Sequence, residues 1–223
     1  MYKTRNALIA GASGLVGGHC LRLLLESDRY SQVISIGRRD VPLIHPKLDQ
    51  QVIDFNNLGK YTSELVADDI FCCLGTTIKQ AGSKEAFYKV DYTYVTQLAK
   101  ITAAKNATQF LVVSALGANS SSFIFYNKVK GEMEQFVKQQ DFSAVHIFQP
   151  SLLLGERDDE RAGEKLASKV MTPLSALMVG PLKKYRPIEA ETVASAMVYT
   201  ASLDQKGIYT YPSDAIARLG TKL

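Results

Sequence analysis

Tyr126 and Lys130 stand four residues apart in the stretch FYNKVK, a spacing that puts a phenol and an ammonium on one face of a helix. A tyrosine with an ordinary pKa of about 10 is a poor acid or base near neutral pH. A neighbouring ammonium stabilises a phenolate and brings proton transfer nearer the working range. Ser114 closes the apolar run FLVVS upstream of this pair. A serine at a strand end can hydrogen-bond a reacting carbonyl oxygen while the tyrosine exchanges its proton. A lone Tyr-x-x-x-Lys pair is common on helices by chance, so the serine is what turns the spacing into candidate chemistry.

Earlier in the chain, Gly11-Ala12-Ser13-Gly14-Leu15-Val16-Gly17 lies between an apolar run and an amphipathic stretch, where a dinucleotide-binding fold places its phosphate loop. The first glycine permits a tight turn, the second lets backbone amides approach a pyrophosphate, and the third lets helix and strand pack closely. The helix N-terminus then favours the negative charge. The second apolar run ends in Gly37-Arg38-Arg39, where an NAD site usually carries an acidic residue for the ribose hydroxyls. Two guanidiniums there fit a 2′-phosphate instead, which favours NADP over NAD, although Asp40 stands beside them. Asp54-Phe55, a short and common pair, is placed to contact an adenine.

The elements that must position these groups follow from periodicity. The runs NALIA, VISIG, QQVIDF, DIFCCLG, FLVVSA and SAVHIFQP read as six strands, near-continuous in apolar residues and therefore buried on both faces. Residues 84–105 turn helical, with Tyr94, Leu98 and Ile101 on one stripe. A helix over 123–139 carries Phe125, Val129, Met133 and Phe136 on its apolar face. Strands alternating with helices predict an α/β fold, a doubly wound parallel sheet. After Pro150 the alternation becomes irregular: GERDDERAGE is a charged loop, LASKVMTPLSALMVG an apolar helical region broken by Pro173, IEAETVASAMVYTASL a late helix and GIYTYP an edge strand. No linker interrupts the pattern, so residues 1–223 form a single domain, with a nucleotide-binding core over 1–150 and a dependent substrate or lid region over 151–223.

Composition bounds the function. With 46% hydrophobic and 22% charged residues the chain is globular, and a net charge of +4 without a basic run argues against nucleic acid. Cys20, Cys72 and Cys73 cannot build a disulfide framework and read as small core residues in a reducing compartment. His19, His45 and His146 make no metal-ligand spacing, so no metal is expected. Glycines break the apolar N-terminus well short of the roughly 18 residues of a membrane span, and a cytoplasmic protein is expected.

GASGLVG, the strand-end Ser114 and YNKVK together resemble the short-chain dehydrogenase/reductase superfamily. CLGTT, FYKVDYTYV, VVSALGANSSS, YNKVKGEMEQ and QPSLLLGERDDERAGE look more closely like its atypical, Tat-interacting oxidoreductase-like branch, over nearly the whole chain. The resemblance implies a Rossmann fold binding NADP through Gly11, Ser13, Gly14, Leu15, Val16, Arg38 and Arg39, with Asp54 and Phe55 near the adenine. Leu74, Gly75 and Thr76 would line the ribose and nicotinamide side. Ser114, Tyr126 and Lys130 match the catalytic positions, with Tyr126 and Lys130 also at the cofactor. Two residues depart from the wider pattern: Asp91 replaces an asparagine linked to a proton relay, and Gln149 stands where extended members often have arginine. The expected activity is NADP-dependent oxidoreduction of a small carbonyl or alcohol. A nucleotide sensor that engages another protein is the alternative, and a nucleotide-sugar epimerase or dehydratase is the third reading.

Overall fold

The computed structural model describes residues 4–155 and 180–223. The first apolar run becomes β1 (Arg5–Ala10), followed by α1 (Leu15–Glu26), β2 (Tyr30–Gly37), β3 (Leu48–Val52), a 3-10 helix (Phe55–Tyr61) and β4 (Asp69–Cys72). Two short helices, α2 (Ile78–Ala81) and α3 (Lys84–Tyr88), lead through a π-helical turn (Lys89–Tyr94) into α4 (Val95–Ala104). Then come β5 (Gln109–Val113), α5 (Phe125–Lys138), β6 (Ala144–Gln149) and β7 (Leu153–Leu154). The last described part holds a second 3-10 helix (Gly180–Tyr185), β8 (Ile188–Glu189), α6 (Ala190–Ser202), β9 (Gly207–Pro212) and α7 (Ser213–Leu219).

Seven strands form one parallel sheet in the order β3-β2-β1-β4-β5-β6-β9. The expected doubly wound sheet is therefore present. Strand order reverses direction between β1 and β4, and the carboxyl ends at such a switch point open a ligand crevice. GIYTYP is the outer strand β9, and Pro212 ends it where an edge tolerates a missing amide donor. The third strand is shorter than QQVIDF suggested. It is only partly buried, as befits the other edge. The β7 and β8 pair makes a separate small sheet. The continuous helix expected over 84–105 is divided by the π turn, and the helix expected over 123–139 runs from Phe125 to Lys138. GERDDERAGE beyond Gly155, and LASKVMTPLSALMVG before Gly180, lie outside the described residues.

Alternation along each strand sends side chains to both faces. Ala7 and Ile9 of β1 pack with Leu21 and Leu24 of α1 and Val193 and Met197 of α6. Leu8 and Ala10 pack on the other face with Leu98 of α4 and Met133 and Val137 of α5. Each fully buried Leu contributes about 1.5–3 kcal/mol of burial free energy. The two layers clamp the sheet and fix where α1 and α5 begin. Among the described residues no helix is long and apolar enough to cross a membrane.

The amino-terminal end of the sheet is closed by ions. Asp69, fully buried at the start of β4, accepts from Arg5 Nη1 at 2.8 Å, Tyr30 Oη at 2.9 Å, Gln109 Nε2 at 3.2 Å and Arg29 Nε at 3.4 Å. Arg5 and Arg29 also pair with Asp204, beyond α6, at 2.9 and 2.5 Å.

Candidate active site

Gly11 adopts φ +91°, a conformation that favours glycine, and a Cβ there would lie 2.7 Å from the carbonyl oxygen of Cys73. A Cβ on Gly17 would collide with the Gly11 carbonyl, so the third glycine of the motif sets the approach of α1 to β1. Gly14 donates its amide to Gly11 O at 3.0 Å and begins the helix, with no side-chain cap and no acid in the first turn. The leading amides and the positive end of the helix dipole are thus left for an anion. Ser13 is exposed at the turn, Leu15 is partly buried and Val16 is buried. The loop itself carries no charged side chain, so these amides and the helix end are what it offers an anion. Behind it, burial pushes the Cys72 thiol up to about 12, so this cysteine packs as a thiol, as expected of a core residue.

Arg38 and Arg39 follow β2 as exposed side chains, and among the described residues neither makes a hydrogen bond or ion pair. Asp54 caps the following 3-10 helix, accepting the Asn56 amide at 3.0 Å and Asn57 Nδ2 at 2.7 Å. The Asn56 amide and then the Asn57 side chain hold this exposed carboxyl below its ordinary range. The Phe55 ring goes into the core against Tyr94, with centroids 5.4 Å apart. Only the Phe55 main chain is left to meet an adenine.

Leu74, Gly75 and Thr76 leave the end of β4 and cross toward the π turn. Thr76 donates its amide to Asp91 Oδ2 at 2.9 Å, and Asp91 Oδ1 lies 2.8 Å from Lys130 Nζ. Asp91 is fully buried and Lys130 is 3% exposed. A Cβ on Gly75 would stand 3.4 Å from Asp91 Oδ1 and 3.6 Å from Lys130 Nζ, so the glycine lies directly against the ion pair. Burial pulls the Lys130 ammonium down, but the Asp91 charge, followed by the Tyr126 phenol and the hydrogen bond to Asp91, carries it above the ordinary lysine range. Burial raises the Asp91 carboxyl, and Lys130 offsets part of that rise. A π turn at this point fits the tendency of such turns to occur at functional sites.

Tyr126 is half-buried in the first turn of α5, its ring 5.2 Å from Phe87 and tilted by 31°. The segment after β5 is pressed onto the same helix. Asn119 donates its amide to Asn127 O at 2.9 Å, and a Cβ on Gly131 would strike the main chain of Asn119 and Ser120. These contacts fix α5 beside the carboxyl edge of the sheet. The structure therefore brings Gly75, Lys130 and Asp91 together, with Tyr126 one turn away on the same helix face.

Ser114 is placed differently. Its amide continues the β5–β6 ladder to Phe148 O at 2.7 Å, and its Oγ donates to Glu134 Oε1 at 2.5 Å. Gln149 Nε2 donates to both Glu134 oxygens, at 2.9 and 3.1 Å. The hydroxyl is thus turned to Glu134, eight residues past Tyr126. Sequence reasoning left the role of Asp91 open and did not mark Glu134. The only advance signal for Glu134 is its position one helical turn beyond Lys130, on the Tyr126 face.

A model of the NAD dependent epimerase/dehydratase family matches residues 7–207. Protein HTATIP2 of Rattus norvegicus is 36% identical over 171 residues, covering 75% of this chain and 70% of its own length. The mitochondrial protein FMP52 of Debaryomyces hansenii is 31% identical over 202 residues, covering 88% of each chain. Among solved structures, MoeE5 in complex with UDP-glucose and NAD superposes with a TM-score of 0.69 at 15% identity, over 92% of this chain and 75% of that one. The last likeness is one of fold and identifies the sheet as Rossmann-like.

Proposed function

The chain belongs to the NAD dependent epimerase/dehydratase family, and from that premise we propose that it is an NADP-dependent oxidoreductase of the atypical short-chain type acting on a small carbonyl or alcohol. The observation that carries the reading is the Lys130 ammonium, buried and held by Asp91, one turn from Tyr126 at the carboxyl edge of the sheet.

In this reading the Gly11–Gly14 turn and the first amides of α1 receive the pyrophosphate. Arg38 and Arg39 clamp the 2′-phosphate, and Asp54 and the Phe55 main chain meet the adenine. Leu74, Gly75 and Thr76 line the ribose and nicotinamide side. The nicotinamide, when bound, supplies or accepts the hydride at the substrate carbon. Tyr126 gives its phenolic proton to the carbonyl oxygen in reduction and takes it back in oxidation. Lys130 places a positive charge beside that exchange and donates to the ribose. Asp91 keeps the lysine charged and directs it. Ser114 steadies the reacting oxygen.

A nucleotide-sugar reaction is the second reading, favoured by the UDP-glucose held in the MoeE5 complex. The same tyrosine and lysine would serve it. Turnover separates these readings from a sensor. Purified protein with NADPH is assayed on a panel of small aldehydes and ketones and on UDP-sugars, beside Tyr126→Phe. Carbonyl reduction that disappears in the variant supports the proposal. Conversion of UDP-sugars alone favours the second reading, and cofactor binding without turnover of either class leaves a nucleotide-binding protein.

A further inference from the structure

Glu134, in α5, is a second buried acid at this edge of the sheet beside Asp91 of the π turn, and proton exchange by Tyr126 does not use it. Tyr126, Lys130 and Glu134 repeat at four-residue intervals on α5 and share one face. Glu134 is 4% exposed, as is Ser114. Its Oε1 accepts from Ser114 Oγ at 2.5 Å and from Gln149 Nε2 at 2.9 Å, its Oε2 accepts from Gln149 Nε2 at 3.1 Å, and Lys138 Nζ lies 3.8 Å away. Ser114 follows β5 and Gln149 closes β6. One carboxylate therefore ties the carboxyl ends of two neighbouring strands to the helix that carries Tyr126 and Lys130.

A serine hydroxyl has one proton to donate. Here that proton is given to Glu134, so Ser114 turns only lone pairs elsewhere. In the oxidoreductase reading a bound carbonyl oxygen takes over that proton, and Glu134 has by then set the serine oxygen in the place from which it donates.

We infer that Glu134 is a positioning residue that acts through Ser114: it holds the serine proton and, with Gln149, sets the serine oxygen against the helix of Tyr126 and Lys130. The inference rests on the oxidoreductase reading for its kinetic consequence and on the hydrogen bonds alone for its structural one.

The test uses the full chain and two variants, Glu134→Ala and Glu134→Gln. Each is assayed for NADPH affinity by nicotinamide fluorescence and for kcat and KM on whichever carbonyl the wild type reduces. Crystal structures of wild type and both variants give the rotamer of Ser114. The expected result is a loss of about tenfold or more in kcat for Glu134→Ala, with NADPH affinity unchanged and Ser114 rotated away. Glu134→Gln keeps an acceptor oxygen and retains kcat within about threefold. An unchanged kcat in Glu134→Ala, a parallel loss of NADPH affinity, or a Ser114 rotamer indifferent to residue 134 overturns the inference. If Glu134→Ala does not fold, the glutamine variant decides: Ser114 still bonded to residue 134 with kcat retained supports it, and a rotated serine with kcat retained overturns it. If the wild type reduces no carbonyl, the oxidoreductase reading fails, and the Ser114 rotamer still decides whether Glu134 fixes the serine.

Discussion

Asp69 and Asp91 are both fully buried, at opposite ends of the same sheet, and their surroundings differ in kind. Asp69 accepts from two guanidiniums, a phenol and a carboxamide, which use its lone pairs and connect β1, β2, β4 and β5. Burial pushes its carboxyl up, and Arg5 and Arg29 bring it part of the way back. Asp91 meets one backbone amide and one ammonium. The lysine it holds has further N–H donors, which in the proposed reading meet a ligand lying along Gly75. A carboxylate surrounded by donors on every side works as a structural tie. One that directs a single cation with donors to spare works as a director of chemistry. In the proposed reading the two ends of the sheet divide the labour in the way parallel α/β sheets favour, with ligands taken at the carboxyl edge.

The strongest separation of the two ends should come from Tyr126→Phe. Removing the proposed general acid is expected to cost about 10²–10⁴ in kcat with the thermal midpoint unmoved. Steady-state rates and melting curves on the same preparations check it, and a midpoint that falls with the rate would assign Tyr126 to the fold instead.

Asp69→Ala is expected to do the reverse. It leaves the Tyr30 hydroxyl without its acceptor and the two partly buried guanidiniums with Asp204 alone, and should cost about 1–3 kcal/mol of stability in denaturant titrations while NADPH affinity stays the same. Asp91→Asn sharpens the contrast: it leaves the buried Lys130 ammonium without its counter-ion, so it too is expected to cost stability, and unlike Asp69→Ala it is expected to weaken NADPH binding about tenfold. Unchanged NADPH affinity in Asp91→Asn, or an equal loss of it in Asp69→Ala, would erase the distinction.

His146, buried in the middle of β6 and stacked on Tyr209, tests whether acid sensitivity belongs to the core or to the site. Burial lowers its pKa to about 4. The unfolded chain, with an ordinary histidine pKa of about 6.5, takes up the proton first as pH falls. Stability from this group is therefore complete above about pH 6.5 and declines toward pH 4, by about 3 kcal/mol across the interval. Denaturant midpoints from pH 7 to 4 should show a shallower decline in His146→Phe, and an equally steep one would place the acid sensitivity elsewhere.

How much of this was legible in the sequence depended on the range of the interaction. The central strands and the glycine turn could be read because burial on both faces and a tight backbone approach leave local marks: continuous apolar runs in β1, β4 and β5, and glycine wherever a Cβ would strike a neighbouring carbonyl. Tyr126 and Lys130 were legible for the same reason, since helical spacing alone puts them on one face. Asp91 was visible as a substitution, but its partner was not, because Lys130 and the Thr76 amide reach it only once α5 and the β4 loop have packed. Glu134 looked like one more acid in GEMEQ, and only the ends of β5 and β6 make it a buried acceptor. The π turn that divides 84–105 leaves no mark in the apolar stripe, and α2 and α7 are too short to show a period.

A cofactor titration bears most directly on the central claim that the carboxyl edge is an NADP site. NADPH and NADH are titrated separately into wild type and Arg38→Ala, following nicotinamide fluorescence. The account predicts that NADPH binds more tightly than NADH, that Arg38→Ala weakens NADPH about tenfold, ~1.4 kcal/mol, and that NADH affinity does not change. Failure of the wild type to bind either nucleotide would contradict the account.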